Sequence, residues 1–274
     1  MDGKLLTIQD VSCFGQCSLT VALPVISACG VETAVLPSAV LSTHTAPGFR
    51  NYTFRDLTGD LPAVEKSWIE NGIRFDAFYT GYVCEAQIDP ILSIMRSCAE
   101  PGALRIVDPA MADHGRLYAG FDADFPREMA RLCDGADYIL PNLTEAALLL
   151  GEEYRPDRRD PEYFTGLAKR LHSLGAKNVI LTGVAFDDRH LGCAVSDGNE
   201  VEFRFNERLE HCSHGTGDLF ASVFAGALMR GKPALRAAEI AAEIVCRALR
   251  ATPEEHWYGV CFEKVIPDLA EMLK

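Results

Sequence analysis

The 274-residue sequence has no apolar run long enough to cross a bilayer; its longest, such as residues 146–150, fall far short of the roughly 20 residues a spanning helix needs. After Met1-Asp2-Gly3-Lys4 there is no basic region followed by a hydrophobic segment, so export is not indicated and a cytoplasmic protein is expected. Positive charge is in short supply: 26 Lys and Arg stand against 39 Asp and Glu, a net charge of −13. That balance excludes a nucleic-acid surface, which needs a basic footprint. It leaves a nucleotide ligand open, because glycine loops and a metal ion neutralise phosphate locally. No Cys-x-x-Cys pair occurs among the ten cysteines, and most of these lie in apolar runs. A structural zinc or a disulfide framework is therefore not expected; reduced core cysteines are. Cys13 and Cys17 lie in a glycine-containing loop where a thiol could be exposed, and Cys212 could be reactive.

Several catalytic signatures are missing too. There is no Gly-x-Ser-x-Gly elbow, no Gly-x-x-x-x-Gly-Lys loop and no His-Glu-x-x-His. The first strand is not followed by Gly-x-Gly-x-x-Gly, which disfavours a nicotinamide dinucleotide fold.

What is present is a globular composition, 48% hydrophobic and 24% charged, with enough apolar residues for a sizeable core. Residues 4–9, 31–37, 39–41, 76–79, 104–107, 138–140 and 178–181 read as strands. Helices are expected over residues 18–29, with Ser18 as cap, and over 62–71, 85–99, 124–132, 144–150 and 162–174. Asp197-Gly198-Asn199 marks a hairpin between 191–196 and 201–205. A helix follows Asp218, and two more occupy 234–250 and 261–273. Residues 42–60 read as one polar loop, and 152–161 as a surface connection. Alternating strands and helices predict an α/β fold: one domain over residues 1–274, with a central, mostly parallel sheet covered by helices on both faces.

In such sheets ligands sit beyond the carboxyl ends of the strands. Asp10, Tyr82, Asp108, Asn142 and Thr182 all fall there, which implies one cleft. His211-Cys212-Ser213-His214-Gly215-Thr216-Gly217-Asp218 leads into an apolar helix. Its glycines let backbone approach a ligand, and the first free N–H groups of the helix point at it, so the loop reads as an anion site. Asp218 would repel a phosphate and suits proton acceptance from the attacking group. The alternative is a glycine turn with Thr216 or Asp218 as a plain helix cap. Asp108-Pro109, with Asp113 five residues on, either ends a strand or serves magnesium on phosphates. Asn142 and Glu145 have the spacing of a capping pair and could also organise water around a metal–phosphate complex. Ser42-Thr43-His44-Thr45 lies in a long loop of the kind that forms binding lids, with His44 read as structural. His211 and His214 could add donors to the glycine loop, but their spacing is not a metal signature.

Together, Gly215-Thr216-Gly217-Asp218 opening a helix and Asn142-x-x-Glu145 give the chain a resemblance to the ribokinase-like superfamily. Ile8-Gln9, Ser42-x-His44-Thr45, Gly81-Tyr82 and Asp108-Pro109-x-Met111 with Asp113 occur in the order of its pyridoxal (pyridoxamine, pyridoxine) kinases. The resemblance spans nearly the whole chain. It implies ATP-dependent phosphorylation of the 5′-hydroxymethyl group of a B6 vitamer, with Asp218 as base and Gly215 to Gly217 as the anion hole. It also implies that Asp108, Asn142, Glu145 and Thr182 serve ATP, that Asp113 and Glu145 serve Mg2+, that Thr45 and Tyr82 contact the vitamer, and that the protein is a homodimer. Asp10 stands where the best-known members have serine; a carboxylate there could pair with a pyridinium N–H, or with a hydroxyl if the substrate differs. Ala46-Pro47-Gly48-Phe49 replaces an expected Gly-Tyr, and Leu140 replaces a usual threonine. Alternatives on the same fold are a hydroxymethylpyrimidine, sugar or nucleoside kinase and a nucleotide-dependent dehydratase; outside enzymes, it is a vitamer-binding protein.

Overall fold

In the computed structural model, which describes residues 3–45, 48–209 and 213–274, a nine-stranded sheet runs through the middle of the molecule. Its first strand, β1 (Lys4–Ser12), is buried along almost its whole length. A strand covered on both faces must be apolar on both, and Leu5, Leu6 and Ile8 satisfy this with no exposure at all. The remaining strands are β2 (Glu32–Leu41), β3 (Phe54–Asp56), β4 (Phe75–Thr80), β5 (Ala99–Val107), β8 (Tyr138–Ile139), β9 (Asn178–Val184), β10 (His190–Ser196) and β11 (Val201–Glu207). The order is β11-β10-β9-β8-β5-β4-β1-β2-β3, with a separate small hairpin of β6 (Ala112–Asp113) and β7 (Arg116–Leu117). Pairings from β9 across to β2 are parallel, while β10, β11 and β3 add antiparallel margins.

Helices cover both faces. On one side α2 (Leu61–Glu70), α3 (Ile88–Ser97), α4 (Phe125–Cys133), α5 (Leu143–Leu150) and α6 (Pro161–Leu171) bury Ile91, Met129, Phe125 and Phe164 against Ile8, Phe78 and Val107. On the other, α1 (Leu19–Ala28), α7 (Thr216–Met229), α8 (Ala234–Ala251) and α9 (Ile266–Met272) bury Val25, Phe224, Ile240 and Leu269 against Leu5, Tyr79 and Ile106. The α/β sequence expectation holds, and among the described residues no helix is long and apolar enough to cross a membrane.

Several boundaries differ from expectation for local reasons. Residues 31–37 and 39–41 form one strand: the register shifts between Gln9 and Val11, whose partners are Pro37 and Val40. An extra residue on β2 makes a bulge beside a proline that lacks an N–H to donate. The loop over 42–60 contains β3, which pairs with β2 at the sheet edge. The helices expected over 85–99 and 261–273 begin as single tight turns, Glu85–Gln87 and Phe262–Val265, and Ala99 already belongs to β5. Ser18 precedes α1 but makes no side-chain cap bond and sits at φ 51°. Its hydroxyl acts on Asp10 instead.

Candidate active site

The order of the parallel strands sets the order of the site. Reading β9, β8, β5, β4 and β1 across the sheet, Thr182, Asn142, Asp108, Tyr82 and Asp10 follow one another at or beyond the carboxyl-end half of each strand. Above this row lies the first turn of α7. Gly215 is its N-cap at φ 80°, a left-handed conformation that glycine adopts without steric cost. A Cβ there would lie 1.9 Å from the Gln16 carbonyl oxygen, so any side chain would push the loop off β1's exit. Gly217 has nothing within 4 Å of a built Cβ, which leaves its backbone approachable by a ligand. Thr216 is half-buried between them. These positions give an open helix N-terminus with its dipole directed at the cleft.

Asp218, in that first turn, is half-buried and accepts a hydrogen bond from the Ser18 backbone. Burial, with a smaller contribution from the charge of Asp10, pushes its carboxyl up to about 6. Asp108 follows β5 directly, where its N–H donates to Thr80 O at 2.9 Å. Burial and the charge of Asp218 hold its carboxyl well above the usual range. Glu145 is raised in the same direction by burial and by Asp108. Among the described residues, no lysine or arginine is among the groups acting on Asp10, Asp108 or Asp218. Acids placed together out of water without a cation are held partly protonated until one arrives.

Asn142 caps α5 in both directions. Its side chain accepts from the N–H of Thr144 at 2.8 Å and of Glu145 at 2.9 Å, and Glu145 Oε2 accepts from the Asn142 N–H at 2.9 Å. The same pair clamps the segment after Asp108: Asn142 Nδ2 donates to Ala112 O at 2.8 Å, and Met111 N–H donates to Glu145 Oε1 at 3.2 Å. The capping reading of Asn142 and Glu145 therefore holds, and the cap itself shapes the cleft. Thr182 lies within β9, and its N–H donates to Pro141 O at 2.9 Å, which ties it to the Asn142 position.

Asp113 is not drawn into the group of Asp108 and Glu145. It is exposed in β6 and engages its neighbour, accepting from the His114 N–H at 2.8 Å, with His114 Nε2 at 3.5 Å from its other oxygen. Its charge still reaches Tyr118 and His214, which places it at the rim. Thr45 is likewise exposed. Ala46 and Pro47, in the expected lid, and His211 and Cys212, expected near the glycine loop, lie outside the described residues.

At the other end, Asp10 is buried and accepts from Ser12 Oγ at 2.9 Å. Burial raises its carboxyl against the opposing hydrogen bonds of Ser18 and Ser12. Tyr82 stacks on Phe121, centroids 5.2 Å apart at 30°, and burial together with the charge of Asp10 pushes its phenol up to about 12. The two faces of this pocket are thus aromatic and acidic. His44 is a packed structural residue: it is buried, with Nε2 2.9 Å from Tyr258 O.

Four residues at the site were not anticipated in these roles. Cys17, whose thiol could have been exposed, is half-buried, and burial and the charges of Asp218 and Asp10 push its thiol far up, so it is not a reactive thiolate. Cys13 is exposed, the less favoured of the two readings of its loop. Phe121 and Tyr118 lie in a segment without helical or strand periodicity. Tyr79 sits in an apolar strand pattern that reads as core.

A match to the phosphomethylpyrimidine kinase family spans residues 54–259. The chain belongs to that family. A crystal structure of a putative phosphomethylpyrimidine kinase from Bacteroides thetaiotaomicron, in a form with pyridoxal, is 32% identical with a TM-score of 0.92, over 98% of this chain and 96% of that one. Pyridoxal kinase from Lactobacillus plantarum is 33% identical with a TM-score of 0.89, covering 98% and 97%. The pyridoxine/pyridoxal/pyridoxamine kinase of Bordetella avium is 28% identical over 269 residues, 90% of this chain and 85% of its own length. This chain is thus a pyridoxal kinase-family protein of the ribokinase-like superfamily.

The state of Asp218 sets a testable pH dependence. A base must be unprotonated to accept a proton, so kcat/KM is expected to fall as pH drops through about 6, the value to which burial raises this carboxyl. A pH–rate profile checks it; a limb near the ordinary carboxylate value of about 4 would contradict the raised state.

Proposed function

We propose that the protein transfers the γ-phosphate of ATP to the 5′-hydroxymethyl group of a B6 vitamer: pyridoxal, pyridoxamine or pyridoxine. The observation that carries the proposal is the pairing, in one helical turn, of an open glycine-bounded N-terminus with a half-buried carboxylate raised to about 6. A pure binding protein gains nothing from a carboxylate beside a phosphate. An acceptor hydroxyl needs one.

In this reading the backbone N–H groups of Gly215, Thr216 and Gly217 hold the oxygens of the transferring phosphate, whose charge is spread over them in the transition state. Asp218 accepts the hydroxymethyl proton as that oxygen bonds to phosphorus, and the bond from phosphorus to the leaving ADP oxygen breaks on the opposite side. Positioning supplies much of the rate, because the acceptor oxygen is held next to its base and in line with the phosphate. Thr182, Asn142 and Asp108 line the nucleotide end. Tyr82 offers a ring face for a pyridine, Thr45 closes over it from the loop, and Asp10 meets its nitrogen. Because Asp10 is buried and raised, it has a partner in either state: it can donate to a neutral pyridine or accept from a pyridinium.

Magnesium fits the donor set. Asp108 and Glu145 offer oxygen ligands, raised by burial and by a neighbouring carboxylate, and Asp113 stands at the rim. Among the described residues no group of three or more acids, histidines or cysteines converges on a point. Mg2+ is usually held by one or two carboxylates together with substrate phosphates and water, so this set suits an ion that arrives with ATP. When bound it would neutralise phosphate charge. A homodimer and a cytoplasmic setting complete the proposal.

The rival acceptor is hydroxymethylpyrimidine, favoured by the name of the matched family. Incubation with magnesium-ATP and pyridoxal, pyridoxamine, pyridoxine, hydroxymethylpyrimidine or ribose, following ADP, is expected to give the highest kcat/KM with a B6 vitamer. A win for the pyrimidine would overturn the acceptor assignment. Asp10→Ser is expected to raise KM for at least one vitamer by about tenfold, the scale of a lost charge-assisted hydrogen bond; unchanged KM for all three removes Asp10 from the substrate contacts.

A further inference from the structure

Three loops that border the cleft meet at one short turn near the C-terminus, and the proposed reaction makes no use of that turn. After α8 the chain runs from Thr252 to Cys261 and folds back on itself. Buried contacts close its base: the Cys261 N–H donates to Thr252 Oγ1 at 2.9 Å, and Thr252 Oγ1 donates to Ala248 O at 2.7 Å. Within the turn the His256 N–H donates to Pro253 O at 3.0 Å, and His256 Nδ1 lies 2.7 Å from Gly259 O. A turn closed at its base and bonded across its middle is a rigid projection, and this one carries Trp257 and Tyr258.

The three loops join it in different ways. Residues 13–16, which leave β1 beyond Asp10, join through backbone: the Gln16 N–H donates to Tyr258 O at 3.3 Å, and Gln16 bridges to Gly259. The anion loop also joins through backbone, the Val260 N–H donating to His214 O at 3.1 Å. Residues 42–49, which leave β2, join through side chains. His44 Nε2 lies 2.9 Å from Tyr258 O, and the rings of Phe49 and Trp257 have centroids 4.8 Å apart. Gly48 makes room for that contact. It sits at φ 114°, and a Cβ on it would lie 2.5 Å from Trp257 Cζ3, so other residues are excluded there.

Residues 42–49 flank the proposed acceptor site from end to end. Just beyond Asp10 the Cys13 N–H donates to Leu41 O at 2.8 Å, and the His44 N–H donates to Phe14 O at 3.3 Å. At the far end the His44 ring reaches His214, centroids 5.2 Å apart, beside Gly215. The middle of this loop is fastened by rings. Among the described residues Gly48 and Phe49 make no hydrogen bond, and Phe49 is held by Phe14, His44 and Trp257 at centroid distances of 5.9, 4.6 and 4.8 Å. Of these partners Trp257 is the one on the rigid turn.

We propose that Trp257 is a positioning residue for the acceptor: it grips Gly48 and Phe49, holds residues 42–49 against residues 13–16 and His214, and so seats Thr45 over the acceptor ring. Trp257 itself touches no reacting atom. The turn's attachments to residues 13–16 and to the anion loop are made by backbone, so loss of the indole frees the acceptor loop and leaves Gly215 and Asp218 in place. The inference rests on the acceptor site proposed above.

The test is Trp257→Ala in the full chain, assayed with magnesium-ATP and each of pyridoxal, pyridoxamine and pyridoxine. Expected is a KM for the vitamers raised about fivefold, the scale of one lost aromatic pair, with kcat and KM for ATP within about twofold. Trp257→Phe keeps a ring in place and is expected to stay within about twofold of wild type throughout. Phe49→Ala removes the same contact from its other side and carries the test if Trp257→Ala folds poorly. Because the two rings act through one contact, the double variant is expected to be no worse than the worse single one. Unmoved vitamer KM values in the folded single variants overturn the proposal. An equal rise in KM for ATP overturns it too, since that marks a general loosening of the cleft, and so does an additive double variant. Wild type that turns over no vitamer overturns the acceptor reading and this inference with it, whereas an active wild type with unmoved variants fails the inference alone.

Discussion

Negative charge gathered out of water is the constraint on which this cleft depends. Asp10, Asp108, Glu145 and Asp218 are drawn to one side of the sheet by the carboxyl ends of β1 and β5 and by the first turns of α5 and α7. Each is pushed towards its neutral form, and among the described residues no lysine or arginine acts on Asp10, Asp108 or Asp218. Desolvating an ion costs several kcal/mol unless a partner compensates it, so the free protein holds an unmet demand for positive charge. In the proposed reaction a nucleotide carrying a divalent cation would meet that demand at Asp108 and Glu145, and a ring nitrogen would meet it at Asp10. Asp218 is left between them, raised enough to exchange a proton near neutral pH.

The fold serves this arrangement by separating positions that must be rigid from those that must be approachable. Asn142 is fixed by three hydrogen bonds of its side chain and one donated by its N–H to Glu145, and the pair holds residues 111–112, Asn142 through Ala112 O and Glu145 through the Met111 N–H. Gly215 is fixed by the Gln16 carbonyl pressed against it. Gly217 is left open. The proposed anion site is built from backbone, which needs no lysine, and this would reconcile phosphate chemistry with a chain of net charge −13.

How much of this could be read from the residues depended on whether the signal was local. The cap of Asn142 and Glu145 and the glycine turn at Gly215 rest on spacings of three residues or fewer, and they stand where expected. Asp108 and Tyr82 follow from strands ending, and strand ends were legible from apolar runs. Asp113 was placed with Asp108 by closeness in sequence, but β6 and β7 turn it outward to His114, and a two-residue hairpin has no periodicity to betray it. Cys17 could have been exposed on the evidence of its glycine-containing loop; the charges that act on its thiol come from Asp218 and Asp10, and Asp218 is distant in sequence. Tyr79 looked like core because its neighbours along β4 are core.

The central claim is that Asp218 takes the acceptor proton while the glycine loop holds the phosphate. Its most direct test is turnover of Asp218→Asn with magnesium-ATP and the preferred vitamer, alongside calorimetric binding of both. The substitution keeps the shape and the Ser18 contact but cannot accept the proton. The account predicts binding within a few-fold of wild type and a kcat lower by at least on the order of a hundredfold, the scale of a lost general base. Turnover near that of wild type would contradict it.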